Sequence, residues 1–229
     1  MPTVDLARVP LRELNGDLHK LSADTNQTLW RVLNPRGQHS IAAGLDAPVE
    51  VEIEGHVGYY CAGMNKHATV VIRGNAGQGV AENMMSGHVH VQGDASQAAG
   101  ASGCGGLLIV DGNASARCGI SMKGIDIVVK GSVGHLSAFM AQTGNLVVLG
   151  DAGDALGDSI YEARLYVRGN VTGLGADCIE KPLKDNHKIE LRKLLDSAGL
   201  NGSVDVGEFR RYGSARKLYH FHIDNVGSY

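Results

Sequence analysis

The 229-residue sequence has few large rings: three phenylalanines, one tryptophan and seven tyrosines. A core built on aromatic packing is therefore excluded. It contains only five prolines, too few for a collagen-like or proline-rich chain despite 32 glycines, about twice the usual share. Its charge is almost balanced, with 21 Lys and Arg against 24 Asp and Glu. That balance argues against a strongly basic surface for nucleic acid or lipid. No apolar run approaches the roughly 20 residues that cross a bilayer. The opening MPTVDLARVPLREL carries Asp5 where a secretory signal would be apolar. A cytoplasmic chain is the expectation. Cys61, Cys104, Cys118 and Cys178 form no CxxC pair and no zinc spacing, so they read as free thiols.

What the chain has instead is a period. Glycine recurs every 19 residues at Gly55, Gly74, Gly93, Gly112, Gly131, Gly150 and Gly169. Numbering each unit from its glycine, position −4 holds Val51, Val70, Val89, Leu108, Ile127, Leu146 and Leu165. Position −2 holds Ile53, Ile72, Val91, Val110, Val129, Val148 and Val167, and position +7 holds only Ala or Gly. Alternating aliphatic residues mark the buried face of a short strand. A 19-residue unit cannot enclose its own core, but stacked units bury a continuous one. The pattern predicts an all-β fold: a single-stranded, right-handed parallel β-helix of about seven coils. Each trailing glycine is expected at a corner with positive φ.

The glycine period stops at Arg36 and Lys188. Residues 1–49 are expected to form an N-terminal cap, with a helix over Leu11–Leu21 and a strand around Thr28–Leu33. The β-helix is placed at 50–182, and 183–229 is read as a C-terminal helix over 185–198 plus a tail. The tail mixes Arg with aromatic residues, as a docking segment or a strap over its own helix would.

No residue pattern points to catalysis. The glycine-rich stretches lack Walker and Rossmann spacing, no nucleophile–base arrangement emerges, and no carboxylates align across coils as in a β-helical carbohydrase. His88 and His90 share one side of a strand without an aligned third ligand, so they read as solvated or partner-facing, as do His220 and His222. Two surfaces are candidate partner interfaces. One is the outward −3 row of Val71, Ile109, Val128, Val147 and Tyr166, which either the C-terminal helix or another subunit must cover. The other is the far corner, with Tyr59, Met64, Met84, Met85, Met122 and Met140.

The hydrophobic-x-hydrophobic-x-Gly units often carry a second glycine three residues on, at Gly58, Gly77, Gly134 and Gly153; Ser96, Ser115 and Thr172 depart from it. Over about residues 50–180 this resembles the GXGXG domain, the C-terminal β-helix of the glutamate synthase large subunit. The segments VGYYCAGMNKHATVVIRG (57–74), GVAENMMSG (79–87), SARCGISMKGIDIVVKGSVGH (115–135) and FRRYGSARKLYHFH (209–222) look like the free-standing version in N-methylglutamate synthase. They also resemble the related glutamate-synthase-like gene sets of rhizobia. The resemblance implies a non-catalytic subunit of a complex that makes N-methyl-L-glutamate and ammonia from methylamine and L-glutamate. It implies two partners, a class II glutamine-amidotransferase-like subunit and a glutamate-synthase-like subunit holding FMN and an iron–sulfur cluster, with no cofactor in this chain. A formylmethanofuran dehydrogenase-like β-helix subunit is a more distant likeness.

Overall fold

A computed structural model describes residues 1–216. The elements are β1 (Thr3–Asp5), α1 (Leu11–His19), β2 (Leu29–Leu33), β3 (Glu50–Glu54), β4 (Thr69–Ile72), β5 (His88–Val91), β6 (Leu107–Val110), β7 (Lys123–Val129), β8 (Thr143–Val148), β9 (Arg164–Val167), β10 (Cys178–Lys181), α2 (Asp185–Ser197) and β11 (Arg210–Ser214). The eleven strands of the described residues join one sheet, and each of β1 to β8 is parallel to the next. The register from β3 to β9 repeats the sequence period: Val51, Val70, Val89, Leu108, Ile127, Leu146 and Leu165 are successive Cα partners. These residues and the −2 column are fully buried. The parallel solenoid expected from the sequence is the fold.

The glycines act differently from the expectation. Of the seven, only Gly55 has a positive φ, of 132°. The others are held small by close stacking. A Cβ on Gly74 would stand 2.7 Å from the carbonyl carbon of Gly55, and one on Gly131 would stand 2.7 Å from the carbonyl oxygen of Gly112. The left-handed residues lie later in each coil, at +5, +7 and +9: Tyr60, Ala62 and Met64 in one, Leu136, Ala138 and Met140 in another. Their amides point alternately along the solenoid. Tyr60 N–H donates forward to Gln78 O (2.8 Å), Ala62 N–H back to Ile41 O (2.9 Å), and Met64 N–H forward to Glu82 O (2.8 Å). The conformation costs an L-residue about 1–2 kcal/mol, yet it keeps each amide of the corner bonded to a neighbouring coil.

The stack also extends beyond the glycine period. β2 pairs with β3 in parallel, but Trp30 faces Val51 across 21 residues rather than 19. The insertion hides this coil from a fixed period. α1 then closes the open end with Leu14 and Leu18 buried in the same core as Ile41 and Leu45. Asn15 ties it down, its Nδ2 donating to Ser40 O (2.9 Å) and its Oδ1 accepting from Ala42 N–H (3.1 Å). At the other end β11 inserts antiparallel between β9 and β10. Reversing direction there blocks the growth of a parallel edge.

Candidate functional site

Three surfaces run along the solenoid, and the sequence-derived interface residues divide among them. On the strand wall, Ile109, Val128, Val147 and Tyr166 are buried beneath α2, in one cluster with Leu191, Leu194, Leu195, Ala198 and Phe209. This part of the −3 row is therefore an internal contact, not an open partner surface. Leucines at 191, 194 and 195 give α2 one apolar stripe, and that stripe fits the row. Val71 lies outside this cluster and is half-buried.

At the far corner, Met84 and Met122 are fully buried, because position +10 points into the core; Asn65, in the same column, donates from Nδ2 to Ala68 O (2.8 Å). These two methionines are core residues and leave the candidate interface. Met64 and Met140 at +9 and Met85 at +11 are about half exposed, as is Tyr59. Tyr161 and Cys104, also at +11, extend this exposed edge. Tyr59 packs against Tyr60 (ring centroids 5.5 Å apart) and edge-on to His39 (6.1 Å).

The outer strand wall ahead of α2 is ionic. Arg31 pairs with Glu54 and Arg73 with Glu52, each at 2.7 Å. His90 Nε2 stands 2.9 Å from Asp111 Oδ2, whose other oxygen meets Lys130 Nζ at 2.7 Å. Burial pushes the Asp111 carboxyl up, but the bonds to Lys130 and His90 outweigh it and hold it below the usual range. His88 stacks on His90 with rings 6.4 Å apart, and its pKa is lowered by burial and by that neighbour. His220 and His222 lie outside the described residues.

The thiols do not converge. Cys61 and Cys118 face the core at equivalent positions three coils apart, and burial pushes both up to about 12. Cys178 is buried and raised to about 11, while Cys104 is exposed. Among the described residues no three His, Cys, Asp or Glu side chains group as metal ligands.

Two polar features are not evident from the apolar pattern. The first is a ladder at +1. Asp94 N–H donates to Asn75 Oδ1 (3.0 Å), Asn113 N–H to Asp94 Oδ1 (2.7 Å), Ser132 N–H to Asn113 Oδ1 (2.9 Å), Asp151 N–H to Ser132 Oγ (2.9 Å) and Asn170 N–H to Asp151 Oδ1 (2.7 Å). These acceptors occupy the space a Cβ would need on the glycine beside them. Aligning the coils shows this polar column in the sequence. The second lies under α2: Tyr166 donates its hydroxyl to Glu190 Oε2 (2.8 Å), and Arg164 meets Glu190 Oε1 at 2.7 Å. No periodic signal marks it, since Glu190 comes from outside the repeat.

No described helix is long and apolar enough to cross a membrane. No family model matches the chain. Protein GlxC of Rhizobium meliloti (strain 1021) is 61% identical over 229 residues, covering the whole of both chains.

Proposed function

Since the chain belongs to the family of Protein GlxC, we propose that it is a scaffold subunit of a glutamate-synthase-like amidotransferase complex, contributing no catalytic residue of its own. The observation that carries this reading is the 19-residue register of the −4 and −2 columns from β3 to β9, kept through an irregularity at the start of β7 between Lys123 and Asp126. Stacked rungs about 4.8 Å apart make a rod whose length is set by the number of coils. Such a rod sets the distance and orientation of two partners and can wall a passage between them. The exposed Met64, Met85, Met140 and Tyr161 edge offers adaptable apolar contacts for one of them. The partners in this reading are the amidotransferase-like subunit and the subunit holding FMN and the iron–sulfur cluster. The reaction is methylamine plus L-glutamate giving N-methyl-L-glutamate plus ammonia.

A second reading keeps the scaffold and changes the amine or amide substrate. The full-length match to a rhizobial protein favours it, because the quoted segments also resemble rhizobial glutamate-synthase-like sets. Affinity purification of the tagged chain from its native host tests both. The expected result is co-isolation of both partner subunits and turnover of methylamine with L-glutamate. Turnover of another amine alone selects the second reading. A chain isolated without either partner contradicts the scaffold role.

A further inference from the structure

At the α2 end of the solenoid, β9, β10 and β11 enclose an open cavity of about 260 Å³. Arg164, Lys181, Arg211 and Arg216 all line it, with Glu162 the single acidic side chain among the lining residues. Two of these cations already have carboxylate partners: Arg164 meets Glu190, and Arg216 meets Asp177. The other two do not. Lys181 and Arg211 are direct cross-strand partners in the β10–β11 pair, and neither makes an ion pair with a carboxylate among the described residues. Like charges directly opposite across strands repel. Glu190, already bonded to Arg164 and Tyr166, attracts Arg211 without a direct ion pair, and the Tyr166 hydroxyl interacts with the Arg211 guanidinium as well.

Arg211 also has unused hydrogen-bonding capacity. Its Nε is buried and has no hydrogen-bond partner among the described residues, while Nη1 makes only a long 3.5 Å contact to Pro182 O. An unpartnered buried donor is costly, and a guanidinium fork can direct it to a bound carboxylate or phosphate. Burial and the nearby Arg164 lower the Arg211 pKa, and burial, Arg211 and Arg164 lower that of His187 on α2. Burial is the larger cause of both shifts, and the neighbouring guanidinium groups add to it.

We propose that this cavity is a binding site for a compact oxyanion, a carboxylate or phosphate of a few heavy atoms, held between Arg211 and Lys181 with Arg216 at its rim. A planar guanidinium fork matches either group. The volume limits the ligand to a small molecule, and Tyr161 and Ser214 are also among the lining residues.

Calorimetric titration of the full-length protein in a low-salt zwitterionic buffer tests the site, with inorganic phosphate and succinate as separate probes and succinamide as the uncharged control. The expected result is saturable binding of at least one anion, weakened by added salt and at least tenfold by Arg211→Gln. The stronger of the two anions identifies the ligand class. Lys181→Gln and Arg216→Gln sit at the exposed side of the cavity. Each is expected to weaken binding severalfold, and Lys181→Gln, which removes the repulsion opposite Arg211, should leave the melting temperature of the ligand-free protein equal to or above that of the parent. No binding of either anion at 10-fold millimolar excess, equal binding of succinamide, or equal affinity in all three variants overturns the proposal.

Discussion

At Gly131 a single methyl group decides whether two coils can approach. Its added Cβ would meet Asn113 Oδ1 of the +1 ladder and the Gly112 carbonyl, both held by hydrogen bonds in the coil before. Gly131→Ala is therefore expected to destabilise the protein by about 1–3 kcal/mol, the usual cost of overpacking. Gly16 in α1 has no atom within 4 Å of such a Cβ. Gly16→Ala should instead stabilise by about 0.5–1 kcal/mol through helix entropy. Urea unfolding of both variants checks the pair. Thiol chemistry offers a second check at this scale. Only Cys104 is exposed; the other three are buried and raised, so the thiolate is scarce at pH 8. One thiol should react rapidly with a disulfide reagent in the native protein and four in denaturant. Rapid native reaction of Cys61 or Cys118 would mean that the core columns are open.

Elements are where sequence reading and structure part. The strands β3 to β9 are legible because each presents the same two buried positions at the same interval. α1 and α2 are legible from apolar spacing, and the observed ends fall within two residues of those expected. β2 forms where a strand is expected, but its coil was concealed by two additional residues. β11 is concealed more deeply: it adds an antiparallel strand from a segment with no period, and its place is fixed by contacts with β9 and β10 rather than by its own pattern. Tyr166 illustrates the limit for the candidate site. Its outward position is readable, whereas its cover depends on α2 returning over the wall. Leu195→Ala should cost about 2–5 kcal/mol as a buried large-to-small change and should increase binding of a hydrophobic dye at the uncovered row. Ile189, on the opposite face of α2 and 60% exposed, is the control. Ile189→Lys should change neither reading.

At the scale of the described molecule, the chain is a stack whose length is set by the number of coils. From β3 to β6 each coil adds the same 19 residues in the same register, and the coils from Gly74 onward also share the +1 side-chain ladder. A coil can thus be removed without changing the register of those remaining. Both ends stay closed, by α1 on one side and by β10 and β11 on the other. The cap geometry is independent of how many coils lie between, which makes rod length separable from foldedness.

Deleting residues 75–93 removes one complete coil, joins Gly74 to Asp94 and shortens the rod by about 4.8 Å. The most direct measurement is turnover by the purified complex carrying this shortened chain, beside circular dichroism of the chain and native mass spectrometry of the assembly. The scaffold account predicts a folded β-solenoid that still retains both partners through the rest of the exposed edge, with turnover reduced at least tenfold because the catalytic subunits no longer meet correctly. Unchanged turnover with the shortened chain incorporated would contradict it.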